Sequence, residues 1–239
     1  MGIIGVVAAL TIPNLSKNTG NAEKVAKVKK IYAELNEAHN RATAVYGPIA
    51  SWSGGVTATR YYDRITEFMK LQKDCRTSTS GCMGTSYTCL DETCSGFSSS
   101  LAPDTIAFPR AILASGWSFC YHSMSISCSD SRYGYGATLC GIIQVDIDGP
   151  NKGKNTGGID MFLFPLTTDG IKPYGGGTLW SMTDGNNLKT ECFSKGLGCT
   201  EWVIRNGNMD YLDASHEESD AGKCNHSDKT LSTTVSSCK

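Results

Sequence analysis

The opening of the chain restricts its fold more than anything that follows. Residues 2–12 read GIIGVVAALTI, an apolar run that Pro13 ends. A membrane-spanning helix needs about 20 apolar residues, and this run supplies about half of them. It has no basic stretch ahead of it and no A-x-A site behind it, so it reads poorly as a secretory signal. Two readings remain, a buried core segment or the second half of a membrane helix. The next residues favour the second. After Pro13-Asn14-Leu15 the chain turns polar. Then Val25, Val28, Tyr32, Leu35, His39, Ala42 and Tyr46 recur at spacings of three and four, one apolar stripe on a helix. Lys24, Lys27, Lys29, Lys30, Glu34, Glu37 and Arg41 fall off that stripe, and Gly47-Pro48 supplies a stop. One helix, or two halves bent near Pro13, is predicted over residues 1–46. Its half over 2–13 is apolar all round, for lipid or a filament core. Its half over 22–46 is apolar on one face, for packing on a head. Ile3, Ile4, Val6, Val7, Leu10, Ile12 and Pro13 are the candidate assembly residues. Val25, Val28, Tyr32 and Leu35 are the candidate head-packing stripe.

The other 193 residues, 47–239, are long enough for one globular head with a real core. With 19% charged residues and 26 glycines, the chain reads as strands and loops beyond the first helix. The formal net charge of -1 gives no global field toward nucleic acid or an anionic membrane. Eleven cysteines all lie beyond residue 70. No C-x-x-C occurs and only four His are present, so disulfides in an oxidising compartment fit better than zinc. Residues 75–100 are Cys, Ser, Thr and Gly with little to bury, which suggests a loop pinned by Cys75, Cys82, Cys89 and Cys94. Cys192 and Cys199 flank a loop short enough for one bridge. Cys224 and Cys238, in the polar tail 213–239, are a second candidate pair. The remaining connectivity stays open.

A short helix is predicted around Tyr61 to Leu71. Strands are predicted at Trp117–Tyr121, Ser123–Cys128, Cys140–Asp146, Asp160–Leu166 and Thr200–Ile204, with turns at Asp169-Gly170 and Asn206-Gly207-Asn208. Short strands joined by Gly-rich turns make an antiparallel sheet, and one face of it would cover the helix stripe. The expected class is α+β, a long N-terminal helix packed on an antiparallel head with disulfide-pinned loops.

These segments carry a resemblance. GIIGVVAALTIPNL resembles the N-terminal helix of type IV pilins and type II secretion pseudopilins, and KVKKIYAELNEAHNRA resembles its continuation in a group of pseudopilin-like proteins. QVDIDGPNKGKNTGGIDMFLFPL and CTEWVIRNGNMDYL resemble head and C-terminal segments of that group. In the family a basic leader ends in Gly, and the mature chain opens with Phe and has a Glu five residues in. None of these is present, so the resemblance implies a leader and first helical turns ahead of Met1. It also implies a pilin-like subunit of a secretion pseudopilus, a pilus or a DNA-uptake filament. Such a subunit would sit in a bacterial inner membrane with a periplasmic or extracellular head and end in a cell-surface filament. Its partners would be other pilin or pseudopilin subunits, the membrane before assembly, and the secretion or pilus assembly machinery.

Asp146, Asp148, Asn151 and Asp160 surround the Gly149-Pro150 turn. Hard oxygens on a Gly-containing loop suit calcium, although the EF-hand spacing is missing. The same side chains also cap turns through their own backbone. Some pseudopilins carry calcium in the head, and the resemblance adds to the metal reading. No G-x-S-x-G, H-E-x-x-H or phosphate loop occurs, so a non-enzymatic protein is expected. His39, on the stripe, is a packing or interface residue. Two alternatives to a filament subunit stay open. One is a secreted, disulfide-rich, adhesin-like binding module. The other is an extracellular cysteine-dependent hydrolase using Cys120 and His122, neighbours on one strand face.

Overall fold

A computed structural model describes residues 3–78, 81–84, 86–90, 108–131, 135–150, 152–175, 191–192 and 195–212, with side chains from residue 19 onward. Helix α1 runs Ile3–Tyr46. Its period-3.6 pattern is realised from Val25 onward: Val28, Ile31, Leu35, Ala38 and Ala42 are each at most 2% exposed. Gly47 follows at φ +80°, a conformation that costs a side-chain-bearing residue and ends the helix. Among the described residues no helix is long and apolar enough to cross a membrane.

Helix α2 (Ala58–Thr66) begins where the Thr57 side chain accepts from the Arg60 N–H. Six strands follow: β1 (Leu71–Arg76), β2 (Arg110–Leu113), β3 (Ser118–Ser123), β4 (Leu139–Asp146), β5 (Met161–Thr167) and β6 (Gly170–Ile171). They form one antiparallel meander in chain order. Register puts Phe119, Val145 and Phe162 in one cross-strand row, and Tyr121, Ile143 and Phe164 in the next. That aromatic face receives the helices. Tyr32 of α1 stacks on Phe164 at 5.6 Å between ring centroids, Tyr61 of α2 tilts on Tyr121 at 4.5 Å, and Tyr62 meets Phe119 at 5.7 Å. The stripe and the sheet face thus make one core, as the sequence pattern requires, and the architecture is α+β.

Among the described residues three disulfides join buried cysteines: Cys75–Cys82, Cys128–Cys140 and Cys192–Cys199. Cys89 is also disulfide-bonded. Cys94, Cys224 and Cys238 lie outside the described residues.

Two predicted strands are not strands. β3 stops at Ser123, and the backbone N–H groups of Met124 and Ser125 both donate to the Cys140 carbonyl, folding Ser123–Cys128 into a turn. The Ser125, Ser127 and Ser129 hydroxyls bond one another there, a local alternative to a ladder. Residues Thr200–Ile204 are helical, within α3 (Thr200–Asn206). An i,i+4 ion pair of Glu201 with Arg205 spans that helix, and Gly207 caps it at φ +67°. Five residues alternating by chance cannot separate strand from helix. The helix predicted over 61–71 sits earlier, because Thr57 starts it and Leu71 already belongs to β1. Strands β1 and β2 have no clear alternation and were legible only through their pairing.

Leu35→Ala removes a side chain that is 1% exposed in the helix–sheet core. It should cost about 2–5 kcal/mol in denaturant unfolding, whereas exposed Glu37→Ala should stay within about 0.5 kcal/mol of the parent.

Candidate functional site

The acidic loop joins β4 to β5. β4 carries Asp146 to the sheet edge, where it is fully buried. Its Oδ1 accepts from the N–H groups of Asp148 (3.2 Å) and Gly149 (2.9 Å), an Asx-type turn. Gly149 holds φ +88° and lies so close to the Gly116 carbonyl that a Cβ would stand 2.7 Å from its oxygen. The chain returns at Asp160, which is 3% exposed and accepts from the Thr156 N–H, while the Ile147 N–H bonds the Asp160 carbonyl at 2.9 Å. Gly153, at φ +68°, closes the loop over the acids. A Cβ there would collide with Asp160 Oδ2 and lie 3.1 Å from Asp148 Oδ2, so those two carboxylates converge beneath one glycine.

Turn capping uses only part of this set. Among the described residues Asp146 Oδ2 and Asp148 Oδ1 are buried with no hydrogen-bond partner. A buried, unsatisfied carboxylate oxygen is costly unless a proton or a cation meets it. The electrostatics agree. Burial, and then the neighbouring Asp148, push the Asp146 carboxyl up to about 8. Asp160 is also raised, by burial first, against the Thr156 N–H and the distant help of Lys24. The donors are hard oxygens, the loop has glycines at its tight points, and two oxygens are left over. That chemistry fits calcium. Asn151 lies outside the described residues, and among the described residues no three His, Cys, Asp or Glu side chains are gathered closely enough to hold a metal ion as they stand. A bound ion would need Asp146 to turn its spare oxygen toward the Asp148–Asp160 pair.

The head-packing stripe is brought together. Val25, Val28 and Leu35 are buried, and Tyr32 is partly buried, its hydroxyl donating to the Ile171 carbonyl at 3.2 Å. The sequence pattern missed Ile31 and Ala38, which widen the stripe by one position on its far side. His39 is 6% exposed, with Nδ1 3.3 Å from the Tyr61 hydroxyl, and burial lowers its pKa. Ile3, Ile4, Val6, Val7, Leu10, Ile12 and Pro13 all belong to α1, and their side chains lie outside those described.

Cys120 and His122 share a face of β3, opposite Gln144 and Ile142 of β4. Cys120 is 2% exposed, and the His122 ring stacks on Phe108 at 4.1 Å. Arg110 and Gln144 lie in the same cross-strand row as Cys120. This polar row faces away from the helices, and no sequence signal announced it because its members come from three strands.

The sign of the Asp146 shift sets a pH dependence. A carboxyl raised from 3.8 to about 8 on folding takes up a proton as the chain folds. Its contribution to stability is complete below pH about 4 and is lost as pH rises through about 8. With chelator present, the melting temperature should fall between pH 5 and 8, and Asp146→Asn should flatten that slope. His39 works oppositely: its lowered pKa makes the fold lose stability as pH falls below about 6.5, so the Asp146→Asn difference is read above pH 6.5.

Comparison with protein-family models, with characterised proteins and with solved structures finds no match to this chain.

Proposed function

We propose that this chain is a non-enzymatic subunit of a filament of the type IV pilin and type II secretion pseudopilin class, assembling through the apolar half of α1. The carrying observation is the mismatch between α1 and what its head covers. The helix has 44 residues, about 66 Å at 1.5 Å per residue. Among the residues whose side chains are described, the stretch buried by the head, Val25 to Ala42, accounts for about 26 Å of that. A head of this size is roughly 40 Å across, so such a helix outruns it. The part that precedes the buried stretch carries the run GIIGVVAALTI. An apolar helix extended beyond its own head is stable when lipid or sister helices surround it, and it exchanges one for the other without meeting water. The head is then cargo, stiffened by disulfides against an oxidising exterior.

Within this reading calcium is the head's structural ion, held by Asp146, Asp148 and Asp160, with Asn151 as a further oxygen donor. It would replace the proton that burial otherwise imposes on Asp146 and so hold the β4–β5 loop at neutral pH.

Two measurements test these points. Replacing Val7 and Leu10 together by Asp in the full chain places two charges in the apolar half, about 2.5–3.5 kcal/mol each at a bilayer centre. Membrane partition and self-association should be lost while near-UV dichroism of the head is kept. Assembly equal to the parent would overturn the filament reading. Saturating calcium at about 100 times its dissociation constant should stabilise the full chain by about 2.7 kcal/mol over chelator, and Asp148→Asn should remove the gain. An unchanged melting temperature in the parent removes calcium from the proposal and leaves the filament reading in place.

A further inference from the structure

Beside the buried stripe, α1 presents a second stripe made of charge. Glu23, Lys27, Lys30, Glu34, Glu37 and Arg41 fall within an arc of about 80° at 100° per residue. Their side chains are 68%, 44%, 68%, 35%, 62% and 60% exposed, respectively, so the head leaves most of this face uncovered. Within the helix they pair at i,i+4: Glu23 with Lys27, Lys30 with Glu34, Glu37 with Arg41. Exposed pairs of that kind contribute little to stability, and each carboxylate keeps acceptor capacity.

The order of the signs carries more information than the pairs. Every stripe charge whose partner seven residues on is also in the stripe meets the opposite sign: Glu23 and Lys30, Lys27 and Glu34, Lys30 and Glu37, Glu34 and Arg41. At an offset of zero all contacts between two parallel copies are like-signed. At fourteen, Glu23 meets Glu37 and Lys27 meets Arg41, again like-signed. Seven residues are about two turns, so the offset preserves the face and amounts to about 10 Å along the axis. Next to the stripe, the face pointing away from the head bears Ala22, Ala26, Ala33, Asn40 and Ala44, all exposed. Small side chains there let a second helix approach closely. Two grooves border the stripe on its head side and meet at Ser115. One, of about 210 Å³, has Lys27, Lys30 and Lys152 at its rim, and the other, of about 280 Å³, has Glu34, Glu37 and Lys70. The head-side charges of these rims are Asp148 and Lys152 in the first and Lys70 in the second, so the sign order along the grooves is that of α1 itself.

We infer that the charged stripe is an interface between copies of this chain, docking parallel α1 helices at a seven-residue stagger. The interface is heterologous: residue i of one copy meets residue i+7 of the next, so the contact does not close on itself and propagates. This inference rests on the filament reading and adds to it the register, which the apolar half of α1 cannot specify because its contacts tolerate sliding. Like charges at offsets of zero, three, eleven and fourteen act against those misregistrations, and an offset of four, also opposite-signed, turns the face by about 40° where seven turns it by about 20°.

The test uses full chains, half of them ¹⁵N-labelled, assembled together in membranes and coupled with a zero-length carbodiimide. Links within a chain are isotopically pure, while about half of the links between copies are mixed. Mixed links are expected at Glu23–Lys30, Lys27–Glu34 and Lys30–Glu37. Only pure links, or mixed links at another offset, overturn the register. A second measurement inverts the whole stripe (E23K, K27E, K30E, E34K, E37K, R41E). Every i,i+4 pair survives with its sign order reversed, although Glu34 also accepts from the Trp117 indole at 2.9 Å and that bond is lost. The inverted chain should link to itself as the parent does, while its seven-residue links to the parent fall about tenfold. Equal mixing with the parent overturns the proposal. If the parent chain forms no oligomer in membranes, the filament reading fails along with the register. If it assembles and the links contradict the offset, the register alone fails.

Discussion

The burial of one face of α1 against the aromatic face of the sheet is the contact on which the head depends. Val28, Leu35 and Ala42 supply the helix side, while Phe119, Tyr121, Phe162 and Phe164 supply the sheet side. Each fully buried side chain of this kind is worth about 1.5–3 kcal/mol. Several of them along five turns offset a large part of the entropy of ordering the helix's second half. α2 and α3 are wedges beside this contact. Tyr61 and Tyr62 of α2 fill the corner between α1 and β3, and Thr200 of α3 accepts from the Leu163 N–H at the far side. Because only one face of α1 is consumed where its side chains are described, its other faces there stay exposed.

The same geometry places the acidic loop. β4 and β5 are buried along their whole lengths. The loop between them therefore starts and ends in low-dielectric surroundings, with Asp146 and Asp160 as its two buried posts. An acidic pair at the rim of a core is unstable unless a proton or a cation arrives. α1 offers one distant candidate, Lys24, which lowers the Asp160 pKa without cancelling its burial. Under the calcium reading, metal, loop and helix form one unit, with the loop's Lys152 and Asp148 facing the α1 lysines across a groove. Head chemistry and the proposed assembly surface then adjoin.

Disulfides reinforce the core. Cys75–Cys82 ties the end of β1 to the segment bearing Met83, whose sulfur accepts from the Ser118 hydroxyl at 3.3 Å on the sheet face away from the helices. Cys128–Cys140 fixes the turn that follows β3, and Cys192–Cys199 fixes the entry to α3. All six cysteines are buried, Cys128, Cys140, Cys192 and Cys199 within the core itself, and each bridge closes a short loop, which limits the unfolded chain.

The sequence by itself determined the long helix, the head-packing face of that helix, the class of the fold, three of the strands and the Cys192–Cys199 bridge. All of these are written in short-range periodicity or in spacing along the chain. It also brought Asp146, Asp148 and Asp160 to notice, through their crowding around Gly149-Pro150. The tertiary structure alone decided that β1 and β2 are strands, because their ladder hydrogen bonds come from partners up to about forty residues away and their own patterns are weak. It decided that Thr200–Ile204 is helical, because Gly207 and the Glu201–Arg205 pair act only once the backbone has curled. It also decided that Asp148 and Asp160 converge under Gly153, and that Asp146 keeps an unmatched oxygen, since burial is a property of the assembled core and no residue's neighbours in sequence can supply it.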